Sequence, residues 1–369
     1  MPAHDATDLH ALIRAEAPAA EQQRALTEPV LTALVDAGVH RMIAPKRYAG
    51  AELGLPEWSR EIGELSRSDA STGWTAMTTT ISSSLAWYLP TDAADEVFTD
   101  PRALIAGTAA PHGRAEAVSG GYRVSGRWGW GSAVPWCSWV IGGTLTPKGP
   151  RLAVYPRTDV TVHDTWHSTG LRATGSHEFS LFNAFLPSRR AIWPVGTTPG
   201  IEGPVTAFPF FSFLAVGVAS VCLGIARRAI DETEALAVAK TPQHATTRLA
   251  EQAGLQIELA LMEARLSSAA AFLHETLSAV WDMAVQRAHV PDEAKARMRL
   301  ACTFAASEAT EVTQKAFAAG GGSSVFESSA LQRCFRDAHT AAQHTVVSKR
   351  LLETYSMHRL GLEPDMARF

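Results

Sequence analysis

Residues 121–130 read GYRVSGRWGW. Tyr122, Val124, Gly126, Trp128 and Trp130 fall on alternate positions, and Arg123, Ser125 and Arg127 fall between them. Strict alternation is the signature of a strand with one face turned to a core, so these five residues are expected to share one face. The segments CSWVIGGTL (137–145), RLAVYP (151–156), VTVHDTW (160–166) and SHEFSLFNAFLP (176–187) continue the strand pattern, with Gly and Pro between them. Residues 104–196 are therefore expected to be a small β-domain.

The chain is helical in pattern on both sides of this stretch. Residues 1–103 form the first helical region. In EPVLTALVDAGVHRMIAP (28–45), apolar residues recur at helical spacing, Gly38 suits a C-cap and Pro45 a stop. Two further helices follow in LPEWSREIGELSRSD (55–69) and STGWTAMTTTISSSLAWYL (71–89). The second is rich in Thr and Ser, which are poor helix formers. Their small hydroxyl side chains suit a cavity wall or close helix packing better than a solvent face.

Residues 197–369 return to helix. Between Leu249 and Leu277, one apolar stripe runs Ala253, Ile257, Ala260, Ala264, Ala271. Another runs Leu255, Leu259, Met262, Leu266, Ala269, Leu273, Leu277. Two apolar faces need two packing partners, as in a bundle that also makes subunit contacts. AAGGGSSVFESS (318–329) breaks the helices, and Ser328 or Ser329 is a candidate N-cap for the next one. That helix carries FRDAHTAAQH (335–344). On one continuous helix, His339 and His344 would point about 140° apart and could not chelate one ion. The fold class expected is mainly α with a central β-domain.

The chain has 369 residues, 46% of them hydrophobic, which is ample for a large core, and a formal charge of −4. No basic stripe points to nucleic acid. Cys137, Cys222, Cys302 and Cys334 stand far apart with no CxxC, which suits buried, reduced thiols in a cytoplasmic protein. The polar N-terminus gives no targeting segment. Phe208–Ile230 is apolar enough to consider as a membrane span, but a buried bundle helix is the expected reading. No HExxH or acidic cluster accompanies the histidines, so no metal site is expected.

Four segments, in order, resemble the acyl-CoA dehydrogenase superfamily and its branch of two-component flavin-dependent monooxygenases. They are SDASTGWTAM (68–77), GGYRVSGRWGWGSAVPWCSWVIGG (120–143), DTWHSTGLRATGSHE (164–178) and GGGSSVFESSALQRCFRDAHTAAQH (320–344). The resemblance implies N-terminal helices, a β-barrel-like middle domain, a C-terminal four-helix bundle and a homotetramer. It also implies reduced FMN or FAD delivered by a separate flavin reductase, with O2 as co-substrate. A small organic molecule would then be hydroxylated through a flavin C4a-(hydro)peroxide.

A dehydrogenase of this superfamily needs a carboxylate base. The comparable run here is QHTVV (343–347), with Thr345 where the Glu would be, and FPFFSFLAVGVAS (208–220) offers no carboxylate either. The resemblance therefore favours oxygen chemistry. It assigns His344 as hydrogen-bond donor or proton manager and leaves His339 structural. It places Ser132 near flavin N5, although a turn serine is the simpler reading of the residue alone. Trp130 and Trp166 become candidates for packing near the flavin ring, with core packing as the alternative for each. Gly321 and Gly322 are candidates to approach a flavin phosphate across a subunit interface, with Arg248 as its cationic partner. A helix-terminating turn and a solvated arginine are the plainer readings. Trp74, Thr78 and His112 are the candidate substrate-pocket residues, with His112 expected in a loop entering the β-domain. Thr78, Thr79 and Thr80 could form a hydroxyl wall suited to a polar substrate such as an amino sugar. N-oxygenation of an amine is the variant reading, followed by an acyl-CoA dehydrogenase and a non-enzymatic scaffold.

Overall fold

A computed structural model describes residues 3–364 of the chain, with side chains from residue 8. Residues 1–2 and 365–369, the outer ends of the first and third expected regions, lie outside the described residues.

Five helices come first: α1 (Ala3–Gln23), α2 (Glu28–Asp36), α3 (Leu55–Ser68), α4 (Ala70–Ser83) and α5 (Thr91–Phe98). Gly38 follows α2 with φ 68°, a left-handed conformation that Gly adopts without penalty. Asp69 starts α4: its Oδ2 accepts from the Thr72 backbone N–H at 2.8 Å and from the Thr72 hydroxyl at 2.9 Å. The hydroxyl-rich α4 is a helix because its hydroxyls bond its own turns. Thr78 donates to the Trp74 and Thr75 carbonyls, Thr79 to Thr75, Thr80 to Ala76 and Ser83 to Thr80. Each bond removes a polar group that burial would otherwise penalise.

The middle of the chain forms one seven-stranded sheet in the order β5-β6-β2-β1-β3-β4-β7. Its strands are β1 (Ile105–Val118), β2 (Gly121–Gly131), β3 (Trp139–Thr146), β4 (Gly149–Pro156), β5 (Thr161–His163), β6 (His177–Pro187) and β7 (Ala191–Ile192). β1 pairs parallel with β3, and the other pairings are antiparallel. Tyr122, Val124 and Trp128 of β2 face the sheet's own core. Trp128 stacks on Phe179 at 5.1 Å, and its Nε1 donates to the Gly143 carbonyl at 2.7 Å.

Trp130 does not join that face, contrary to the alternation. The pairing with β6 shifts register between Trp128 and Gly131, and Trp130 turns to φ 57°. The bulge rotates the ring outward, leaving it 68% exposed. His112 is likewise in a strand and not in a loop. It sits exposed in β1 where the pairing with β3 slips between Thr108 and Gly113.

Six helices follow: α6 (Pro204–Ala207), α7 (Phe210–Ala239), α8 (Ala253–Val285), α9 (Asp292–Gly320), α10 (Ala330–Ala341) and α11 (Leu351–Arg359). α7 is long and apolar enough to cross a membrane, yet 78% of its most apolar window is buried inside this fold. A Cβ at Gly224 would overlap the Gly63 carbonyl, so α3 and α7 touch backbone to backbone. Leu255, Met262, Leu266, Ala269, Leu273 and Leu277 of α8 are buried, whereas Ile257 and Leu261 stay 61% and 51% exposed. One apolar stripe of α8 is thus packed within the chain and the other faces outward.

Ser329 caps α10, its hydroxyl accepting from the Leu331 N–H. α10 ends at Ala341, three residues before His344, so the angle expected between the two histidines does not apply. His344 instead opens a 3-10 turn at Thr345–Val347. All four cysteines are buried and unpaired, with thiols pushed up to about 12 by burial.

Candidate active site

Ser132 follows β2 in a turn whose neighbours are both left-handed: Trp130 at φ 57° and Ala133 at φ 63°. Two non-glycine residues in that region cost about 1–3 kcal/mol each, a cost met only where surrounding structure enforces it. The enforcement is visible. Ala133 N–H donates to the Thr174 carbonyl at 3.0 Å, tying the turn to the 3-10 segment at Arg172–Thr174. Trp74 Nε1 of α4 donates to Ser132 Oγ at 3.0 Å. Ser132 Oγ lies 2.7 Å from Ser176 Oγ, which lies 2.6 Å from Thr174 Oγ1, and Thr174 donates to the Leu171 carbonyl at 2.9 Å. Every side chain in this row is buried.

The segment that ends the row is pinned from α10. Asp337 accepts from the Leu171 N–H at 2.6 Å, where Leu171 is itself left-handed at φ 50°. Arg336 donates to the Thr169 carbonyl and, at 2.5 Å, to Glu21. A Cβ at Gly170 would overlap the Arg336 carbonyl, which keeps this position small. Burial, with Asp69 and Glu21 nearby, pushes the Asp337 carboxyl up to about 7, against the Leu171 bond and Arg336, which act to lower it. Burial also raises Asp69.

His344 meets the same site from the other side, its ring 6.0 Å from the Trp74 ring. Its Nδ1 accepts from the Val346 N–H at 3.3 Å, so the neutral ring carries its proton on Nε2. Burial, helped by the Arg299 cation, lowers its pKa to about 4. At neutral pH His344 is therefore an uncharged Nε2–H donor. His339 is bound up elsewhere: Nδ1 lies 2.8 Å from the Phe335 carbonyl, and the ring sits 4.1 Å from the Phe335 ring.

The structure thus brings Trp74, Ser132 and His344 together. Trp166 stands one layer behind, its Nε1 donating to the Leu171 carbonyl at 3.0 Å. Thr78 lies one turn beyond Trp74 on α4. His112, Arg248, Gly321, Gly322 and the Trp130 ring are exposed.

A second group forms at the far end of α7. Lys240 Nζ donates to the Gly320 carbonyl at 2.8 Å, and the Lys240 carbonyl accepts from Leu249 N–H, next to Arg248. Arg248 and Gly321–Gly322 therefore meet around Lys240, and Gly321 is left-handed at φ 55°. Ala70 and Ile225 line one small cavity, so Trp74 lies beside the middle of α7. Lys240, 15 residues past Ile225, is roughly 22 Å further along the axis. The two groups therefore lie well apart along α7 within a single chain. Thr174, Ser176, Asp337 and Lys240 escaped sequence reasoning. The first three lie inside the resembling segments, where the sequence does not distinguish them from their neighbours. Lys240 had no motif around it.

The family of acyl-CoA dehydrogenase C-terminal domains matches residues 216–349. XiaF from a Streptomyces species, solved in complex with FADH2 and glycerol, superposes with a TM-score of 0.91 at 28% identity, covering 98% of this chain and 95% of that one. The fold is therefore that of the acyl-CoA dehydrogenases, with oxygenases among its structural neighbours. The chain is 30% identical to the indole-3-acetate monooxygenase of Pseudomonas putida, over 93% of this chain and 90% of the relative. It is 32% identical to a pigment production hydroxylase of a Rhodococcus species, over 91% and 90%. The chain belongs to the flavin-dependent monooxygenases built on this fold, the oxygenase components of two-component systems. Its chemistry uses reduced flavin and O2, and a separate flavin reductase is its partner.

Proposed function

We propose that this chain hydroxylates a small aromatic substrate, with Ser132 and His344 facing the reacting edge of the reduced flavin. The observation that carries the assignment is Trp74, which bonds Ser132 with its Nε1 and lies against His344 with its ring. Two polar groups far apart in the sequence thereby converge on one buried point. The flavin, once bound, supplies the electrons that activate O2 and the means of transferring one oxygen atom. Ser132 offers that edge a hydroxyl held in place by Trp74, and His344 offers a neutral N–H donor that needs no reorganisation.

An aromatic substrate is favoured over an amino sugar because the Thr78, Thr79 and Thr80 hydroxyls of α4 have no hydrogen left to donate to a ligand. Each is bonded to its own helix. The aromatic names of the relatives point the same way.

Gly321, Gly322, Arg248 and Lys240 are suited to hold a flavin phosphate, with two cations beside a stretch of backbone that carries no side chain. Their distance from Ser132 fits a tail reached across a subunit boundary. The outward stripe of α8 fits a homotetramer, in which Trp130 and Trp166 would close over the flavin. Four buried thiols fit a cytoplasmic enzyme. The test is to supply photoreduced flavin, 18O2 and a panel of phenols, indoles, aryl acids and amines. A phenolic or indolic product carrying one 18O is expected. Oxygen on nitrogen alone would overturn the aromatic assignment.

A further inference from the structure

The row Trp74, Ser132, Ser176, Thr174 and Leu171 has a direction. The Leu171 carbonyl can only accept, so the Thr174 hydrogen points to it. Thr174 Oγ1 must then accept from Ser176, and Ser176 Oγ must accept from Ser132. Trp74 Nε1 can only donate, and it donates into Ser132. Ser132 is left without a hydrogen to offer and with one lone pair free. We propose that this directed row makes Ser132 an acceptor toward its ligand and so selects reduced flavin, whose N5 carries a hydrogen, over oxidised flavin, whose N5 does not. Thr174 and Ser176 are the positioning residues of this selection. The inference rests on the reading above that Ser132 faces N5.

The row can be reversed at a known cost. To donate to oxidised N5, Ser132 must turn its hydrogen away from Ser176, and Ser176 must turn its own from Thr174 to Ser132. Thr174 then turns its hydrogen from Leu171 to Ser176. The Leu171 carbonyl keeps Trp166 Nε1 at 3.0 Å, so one hydrogen bond is lost. One neutral bond in a buried row corresponds to about a tenfold ratio of dissociation constants.

Thr174→Val keeps the branched shape and removes the hydroxyl. Ser176 then has no acceptor but Ser132, and Ser132 is freed to donate outward. Ser176→Ala frees Ser132 by a different route, by taking away its acceptor. Thr174→Ser preserves the row. The measurement is anaerobic titration of each variant with dithionite-reduced and with oxidised FMN and FAD, read by flavin fluorescence, with melting curves to verify folding. The expected result is a fall of about tenfold in the preference for reduced flavin in Thr174→Val and Ser176→Ala, and wild-type preference in Thr174→Ser. If Thr174→Val does not fold, Ser176→Ala carries the test alone. Should Ser132→Ala change reduced-flavin affinity while Ser176→Ala and any folded Thr174→Val keep the wild-type ratio, the directed row is wrong and the placement of Ser132 survives. Should Ser132→Ala change neither affinity, Ser132 does not face the flavin and both readings fall.

Discussion

His344→Ala is the perturbation whose size the structure bounds best. The side chain does two things in the fold, both small. Its Nδ1 accepts a 3.3 Å bond from Val346, and its ring lies 6.0 Å from Trp74. Losing a long bond and one ring contact costs about 1 kcal/mol, or some 2–4 °C in melting temperature. Toward a flavin bound as proposed it would present one neutral donor, because burial and Arg299 lower its pKa to about 4. Removing a neutral donor from a group left buried costs about 1–3 kcal/mol, or roughly 5- to 150-fold in rate. The assay needs no substrate: reduced flavin and protein are mixed with oxygenated buffer, and hydrogen peroxide release is timed. His344→Ala should release it faster by that factor while melting almost normally. His344→Gln, whose amide can reach the Nε2 position, should recover part of the loss. The wild-type release rate should show no histidine titration between pH 5.5 and 8, since the ring is neutral throughout. Wild-type release in His344→Ala, or a wild-type step near pH 6.5, would refute the reasoning.

Light scattering should give an oligomeric mass, and Ile257→Glu with Leu261→Glu should lower it, because both side chains lie on the exposed stripe of α8. A monomeric wild type would remove the case for a flavin site shared between subunits. His339→Ala should act on stability alone, by about 1 kcal/mol for its contact with Phe335, with peroxide release unchanged. Asp337→Asn tests the buried carboxyl. Its folded pKa, near 7, lies above its unfolded value, so the folded state keeps a proton that the unfolded state has lost between about pH 4 and 7. That contribution is full at low pH and is lost as pH rises through this window, by up to about 1.4 kcal/mol per pH unit. Asn, neutral at every pH, should therefore gain on wild type in urea midpoints as pH rises from 4 to 8. A constant difference would show that Asp337 does not titrate there.

Periodicity carried the architecture a long way. The alternation at Tyr122, Val124 and Trp128 and the buried stripe of α8 both report side chains meeting a core, which is a local property of the chain. It failed at Trp130 because a bulge resets the two-residue period, and nothing in RWGWG marks where the extra residue goes. It failed between His339 and His344 because α10 stops at Ala341 without the Gly or Pro that usually announces an end. The hydroxyls of α4 were visible, but their acceptors were not: Thr and Ser can face a ligand or their own helix, and composition does not separate the two. The row from Ser132 to Leu171 joins the turn after β2, α4 and the 171–176 segment. Only tertiary structure sets them within hydrogen-bond distance, and only the distances give the row its direction.

The central claim is that the Ser132 and His344 groups face reduced flavin when it meets oxygen. Stopped-flow mixing of photoreduced flavin and protein with O2, in wild type, Ser132→Ala and His344→Ala, tests it most directly. A long-lived near-ultraviolet species in wild type, shortened in both variants, is the result predicted here. Equal lifetimes in all three proteins would contradict the placement of both residues.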